Sequence, residues 1–234
     1  MGEGLITRRN SSGVLIEFEN YYNFVEGLTS STPTALSVAR ASLAGASVGG
    51  YALFAGGYAS ASGNASNVVD AYNTFLTHST PTALSVAREN LTGASVGGYA
   101  LFAGGYEGYW SGNSNVVDAY DTSLTRSTPT ALSVARSALA GASVGNYALF
   151  AGGDTGTSGD ASNVVDAYNT SLTRSTPTAL SVARENLAGT SVGNYALFAG
   201  GYASDSDNVS TNVVDAYDTS LTRSTPTALS VARK

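Results

Sequence analysis

Acid–base and metal chemistry need titratable side chains that converge, and this chain repeats its few at fixed intervals. Asp70, Asp118, Asp166 and Asp215 stand 48, 48 and 49 residues apart. Arg40, Arg88, Arg136, Arg184 and Arg233 follow the same ruler. One aspartate and one arginine per repeat make two columns of opposite charge. Buried charges must be paired or hydrogen-bonded, so the columns are expected to be structural ion pairs. Glycoside hydrolysis needs two carboxylates at a set separation, and nothing in a repeated column singles out two members. His78 is the only histidine and occupies a place held by Arg126, Arg174 and Arg223 in the other copies. One imidazole makes neither a triad nor a histidine metal site. There is no cysteine, which excludes thiolate catalysis and cysteine-ligated metals. Asp205-Ser206-Asp207-Asn208 lacks the glycine and terminal glutamate of a calcium loop. No catalytic residue, metal or cofactor is expected, and the chain reads as a non-enzymatic protein.

The elements that carry these columns are marked by proline. Pro33, Pro81, Pro129 and Pro177 lie 48 residues apart, and Pro226 follows after 49. A fixed period of this length marks a repeat architecture. Four full units run over 41–88, 89–136, 137–184 and 185–233. Residues 14–40 read as a partial unit and residues 1–13 as a tail, with a short strand at Leu5–Arg8. Within a unit, Gly45–Val48 reads as strand a. Gly49-Gly50 (Gly-Asn in two other copies) is a two-residue hairpin turn. Tyr51–Ala55 is strand b and Asn67–Tyr72 is strand c. Strand d lies within Leu76–Val86, around Pro81. Proline cannot donate to a ladder, so d belongs at the sheet edge.

Strand side chains alternate. Tyr51, Leu53 and Ala55 face one way; Ala52 and Phe54 face the other. A small sheet apolar on both faces must be covered on both. The predicted fold is therefore all-β: a β-propeller of four-stranded antiparallel blades. Residues 14–234 would form one domain, five-bladed, with an atypical or incomplete N-terminal blade. The small residues of strand a suit a crowded axis.

The unit resembles the Kelch repeat over about residues 14–233. The resemblance rests on the double glycine after strand b (Gly56-Gly57, Gly104-Gly105, Gly152-Gly153, Gly200-Gly201), the strand-c tyrosine (Tyr72, Tyr120, Tyr168, Tyr217) and the arginine before strand a. It departs where Kelch units usually carry tryptophan, since this chain has Leu76, Leu124, Leu172 and Leu221. The resemblance implies that the b–c and d–a loops share one face, where a partner would dock.

Copies differ chiefly in the b–c loops. A constant frame with differing loops is the pattern of a binding surface. The binding residues expected there are Tyr58, Tyr106, Tyr109, Trp110, Asp154, Asp160, Tyr202, Asp205 and Asp207, on four successive loops. Trp110 is the only tryptophan, and tryptophan and tyrosine are enriched in interaction hot spots. The expected partner is a protein or a glycan. A net charge of −6 without basic runs speaks against nucleic acid and against an anionic membrane surface. The N-terminus has no apolar run of signal-peptide type. Closure of the ring is expected within one chain, with a homodimer as the other way to cover open ends.

Overall fold

The computed structural model describes residues 5–9, 15–20, 32–156, 160–203 and 209–233. The chain divides into two units, Met1–Pro33 and Thr34–Lys234. In the first, β1 (Leu5–Arg9) and β2 (Leu15–Asn20) pair antiparallel with each other, with a bulge between Arg8 and Arg9.

The second unit is all-β. Its first blade holds β3 (Ala44–Val48), β4 (Tyr51–Ala55), β5 (Tyr58–Ala59), β6 (Asn64–Ala65), β7 (Val69–Asn73) and β8 (His78–Ser79). The second holds β9 (Thr92–Val96), β10 (Tyr99–Ala103), β11 (Val117–Asp121) and β12 (Arg126–Ser127). The third holds β13 (Ala140–Val144), β14 (Tyr147–Ala151), β15 (Val165–Asn169) and β16 (Arg174–Ser175). The fourth holds β17 (Arg184–Glu185), β18 (Ala188–Val192), β19 (Tyr195–Ala199), β20 (Tyr202–Ala203), β21 (Val214–Asp218) and β22 (Arg223–Ser224). Each blade is a four-stranded antiparallel meander, ordered β3-β4-β7-β8 in the first and likewise in the others. The strands β5–β6 and β17–β20 add short two-stranded pairings beside the loops.

Strand b matches its expected bounds because turns close it at both ends. Gly49 adopts φ +53° in the two-residue turn before it. Strand d is the two residues His78–Ser79 at the sheet edge, within the expected Leu76–Val86 but ending before Pro81. Past Ser79 the backbone turns its bonds inward: Leu84 N donates to Asn67 O at 2.8 Å and Arg88 N to Ser66 O at 3.0 Å. The proline thus lies in a strap that ties the blade to its own b–c loop, and a ladder is not available to it.

Blades stack in series through β3 beside β9, β9 beside β13 and β13 beside β18. The approach is so close that only glycine fits at the crossing: a Cβ on Gly189 would lie 2.5 Å from Gly141 O, and Gly93 and Gly141 are equally crowded. Serines link the same strands. Ser95 Oγ donates to Ser47 O, Ser143 Oγ to Ser95 O and Ser191 Oγ to Ser143 O, each at 2.6 Å. Among the described residues the apolar core is three clusters, one per blade–blade junction. In the first, Val48, Leu53, Ala55 and Val69 meet Ala100, Phe102 and Tyr120 of the next blade; the other two repeat it one blade on. Leu124, Leu172 and Leu221, the residues standing where tryptophan was expected, pack against these clusters at φ of +58° to +64°. Leucine rarely adopts that conformation; Leu76 has it too, at φ +58° and 47% exposed, so the c–d turn, closed by Leu76 N to Asn73 O at 2.8 Å and its copies, holds it there.

Candidate functional site

The two charged columns form the same buried network in each blade. Arg88 Nη2 donates to Asp118 Oδ2 at 2.5 Å, and its Nη1 reaches Gly104 O and Val116 O, both at 2.7 Å. Asp118 Oδ1 accepts from Ser85 N at 3.1 Å, across the junction. Both side chains are fully buried. Burial lowers the Arg88 pKa and the Asp118 charge opposes that shift; arginine remains charged regardless. Arg136–Asp166 and Arg184–Asp215 repeat the pair, and Arg40 pairs with Asp70. The strand-c tyrosine seals each network from above: Tyr120 Oη donates to Thr82 O at 2.7 Å. Burial, followed by the Asp118 charge, pushes that phenol well above its ordinary value.

His78 belongs to this scaffold. Its Nε2 lies 2.7 Å from Asp70 Oδ1, where Arg126 Nη1 stands 3.7 Å from Asp118 Oδ1. Burial pushes the Asp70 carboxyl up, but hydrogen bonds from Ser37 and His78 and the Arg40 charge outweigh it and hold the pKa below the usual carboxylate range. Among the described residues, no group of three His, Cys, Asp or Glu side chains converges as a metal site. No helix among them is long and apolar enough to cross a membrane.

The variable loops are built differently. Each starts from a residue clamped to the segment that enters the blade: Tyr58 bridges Ala41, Tyr106 bridges Glu89, Asp154 bridges Ser137, and Tyr202 pairs with Glu185 in β17–β20. The b–c loops and the d–a segments therefore lie together. Between the first two loops is a cleft of about 620 Å³, lined by Tyr58, Glu89, Tyr106, Glu107, Tyr109 and Trp110 among others. Trp110 is 93% and Tyr109 83% exposed. Their rings meet edge to face with centroids 5.0 Å apart. The loop beneath them is closed by Glu107 N to Gly112 O at 2.9 Å and Gly112 N to Gly108 O at 2.9 Å. The cleft thus brings two exposed aromatic rings and two glutamates to one place.

Four of the expected binding residues thus share one cleft: Tyr58, Tyr106, Tyr109 and Trp110. Asp154 and Asp160 sit on the next loop and do not line it. Asp154 Oδ1 accepts from Gly156 N at 2.8 Å, and Thr155 Oγ1 donates to Asp160 O at 2.9 Å. Tyr202 lies in β20, on the fourth blade. Asp205 and Asp207 fall outside the described residues. The cleft adds Glu89 and Glu107, which the sequence reading did not single out. One signal pointed to Glu89: the unit-entry position is Ala41, Glu89, Ser137 and Glu185, so it varies as the loops do. Glu185 is the member with a raised pKa, first from burial and then from the Asp154 charge.

No protein-family profile matches the chain, and no curated protein matches it. Among solved structures, that of YjhT is similar with a TM-score of 0.67 at 12% sequence identity. The similarity covers 83% of this chain and 72% of that one. At that identity it bears on the fold alone. The chain is an all-β protein of repeated four-stranded antiparallel sheets set in series, with a propeller-like fold.

Proposed function

We propose that this is a non-enzymatic binding or scaffold propeller of Kelch type, whose b–c loops hold a protein or glycan partner. The observation that carries this reading is the exposed Tyr109–Trp110 pair lining one cleft with Glu89 and Glu107. Tryptophan and tyrosine are among the side chains most enriched in interaction hot spots, and here two of them stand adjacent in the lining of a cleft. The aspartate column and the arginines paired with it are consumed by scaffold, and what differs between copies is left for recognition. Aromatic faces stack on sugar rings or apolar side chains, and the carboxylates accept hydrogen bonds from hydroxyl or ammonium groups. The test is a glycan and peptide array with wild type and a Tyr109→Ala/Trp110→Ala variant. Hits on wild type that vanish in the variant support the reading. Because Trp110 is the only tryptophan, its emission reports the same event directly. Hits that survive the double change, with no emission shift, would sink the proposed site.

A second reading, catalysis on a glycan, has one observation in its favour. Burial and the Asp154 charge hold the Glu185 carboxyl above its ordinary value, as a proton-donating acid requires. Turnover in a glycoside screen that disappears in Glu185→Gln would favour it over binding.

A further inference from the structure

We propose that the two ends of the blade series are docking faces for each other, so that a second copy of this chain binds head to tail, blade 4 of one on blade 1 of the next. Four independent rows of residues mark the ends. Phe102, Phe150 and Phe198 are fully buried against the preceding blade, while Phe54 is 37% exposed. Val48, Val96 and Val144 are at most 3% exposed, while Val192 is 61% exposed. Gly49, Gly97 and Gly145 each lie against a threonine of the following blade, and Gly193 has nothing within 4 Å. The crossing glycines Gly93, Gly141 and Gly189 are crowded by a backbone oxygen, whereas a Cβ on Gly45 meets nothing nearer than 3.8 Å. Blade 1 lacks what blade 4 leaves uncovered, and the residues on both faces are those that already pack together at three junctions. The occupant is therefore read from the molecule itself.

The polar groups at the ends match as well. Among the described residues the serine ladder stops at Ser47 Oγ on one side and at Ser191 N and O on the other. A docked pair continues it, Ser47 Oγ to the second copy's Ser191 O. The strap sharpens the proposal. Thr34–Arg40 and Thr227–Arg233 are the same seven residues. The first fills the slot over Asp70 and Tyr72, through Arg40 and through Tyr72 Oη to Thr34 O. At the three internal junctions that slot is filled by the strap of the preceding blade. In the docked pair the incoming strap, Thr227–Arg233 of the second copy, takes the slot, and Thr34–Arg40 gives way to an identical sequence. A head-to-tail contact closes into a ring or grows into a filament according to its rotation, so the copy number is left to the measurement.

The test is the mass of the full chain by native mass spectrometry and sedimentation, from sub-micromolar to about 100 µM. Wild type is expected to form species of two or more copies. Three variants keep the fold and separate the outcomes. Gly45→Ala adds a methyl that makes only ordinary van der Waals contacts, at 3.8 Å or more, within one copy, but in the docked pair it meets the second copy's Gly189 O as a Cβ on Gly93 meets Gly45 O. Val192→Asp charges an exposed side chain at the other end. Arg233→Ala removes an exposed guanidinium that docking would carry to Asp70. Gly45→Ala and Val192→Asp are each expected to abolish association with unchanged melting of dilute protein. Mixing these two restores a pair, because each keeps one intact end. Arg233→Ala weakens association by about tenfold or more. A wild type that stays monomeric throughout overturns the proposal. So does association untouched by Gly45→Ala and Val192→Asp. A monomer whose Phe54 face is protected from solvent would overturn it in favour of residues 1–33 as the occupant.

Discussion

Phe54 and Phe102 occupy the same position in the same motif, and only one of them is in a core. Phe102 meets Leu53 and Val48 of the blade before it; Phe54 remains 37% exposed. Both rings keep the same edge-to-face contact with the strand-c tyrosine at 6.0 Å. The contacts inside a blade are thus alike at both sites, and the difference is the neighbour alone. In a chain of near-identical units, stability resides largely in the junctions.

That contrast yields the largest effect to be measured. Phe102→Ala should destabilise by ~3–5 kcal/mol, combining lost transfer energy with a cavity. Phe54→Ala should cost about 1–2 kcal/mol, since its ring is already partly hydrated. Denaturant midpoints of dilute protein compare them. Equal losses would mean that the end face is covered after all.

Glycine gives the next contrast. Gly93→Ala drives a methyl onto Gly45 O, and β3 and β9 must part, at about 3 kcal/mol. Gly45→Ala meets nothing nearer than Phe54 Cε1 at 3.8 Å and should leave the melting temperature of dilute protein unchanged. A destabilised Gly45→Ala in dilute protein would remove the distinction between end and interior on which head-to-tail docking rests.

The junctions were partly legible in the sequence. The 48-residue period set the blades, and the turns Gly49-Gly50 and Gly56-Gly57 bounded Tyr51–Ala55 to the residue. Strand c begins at Val69, not Asn67, because Asn67 O and Val68 O are taken by Leu84 N and Gly56 N; those bonds join distant segments that local pattern does not pair. Strand d shortened for the same reason. The Asp and Arg columns announced their pairing, since one of each recurs per unit. The Glu89–Glu107 cleft was hidden because it forms where two units meet, Tyr58 coming from the loop of one and Glu89 with Glu107 from the unit that follows. The open ends were hidden more deeply: Phe54 and Phe102 are the same letter in the same context, and only placement separates them.

The smallest contrast lies in the c–d turn, where the copies alternate Asn73, Asp121, Asn169 and Asp218. Asn73 Oδ1 accepts from Phe75 N at 3.0 Å and Thr77 N at 2.9 Å; Asp121 Oδ1 accepts from Ser123 N and Thr125 N, both at 2.9 Å. The turn is therefore the same with either side chain, but only the aspartates titrate. The Ser123 hydroxyl first, and then the Thr125 amide, hold Asp121 below the ordinary value of 3.8, and Ser220 and Thr222 do the same for Asp218. A carboxyl whose pKa falls on folding contributes stability that is fully present above its unfolded value and is lost as the pH drops through the folded one. Asp121→Asn should keep the turn, as Asn73 and Asn169 do, and remove that share of the acid sensitivity. Melting temperatures from about pH 5 down to about pH 2.5 should fall less steeply in the variant than in wild type. Parallel curves would mean that the Ser123 bond does not survive in solution, and that the two kinds of turn differ in sequence only.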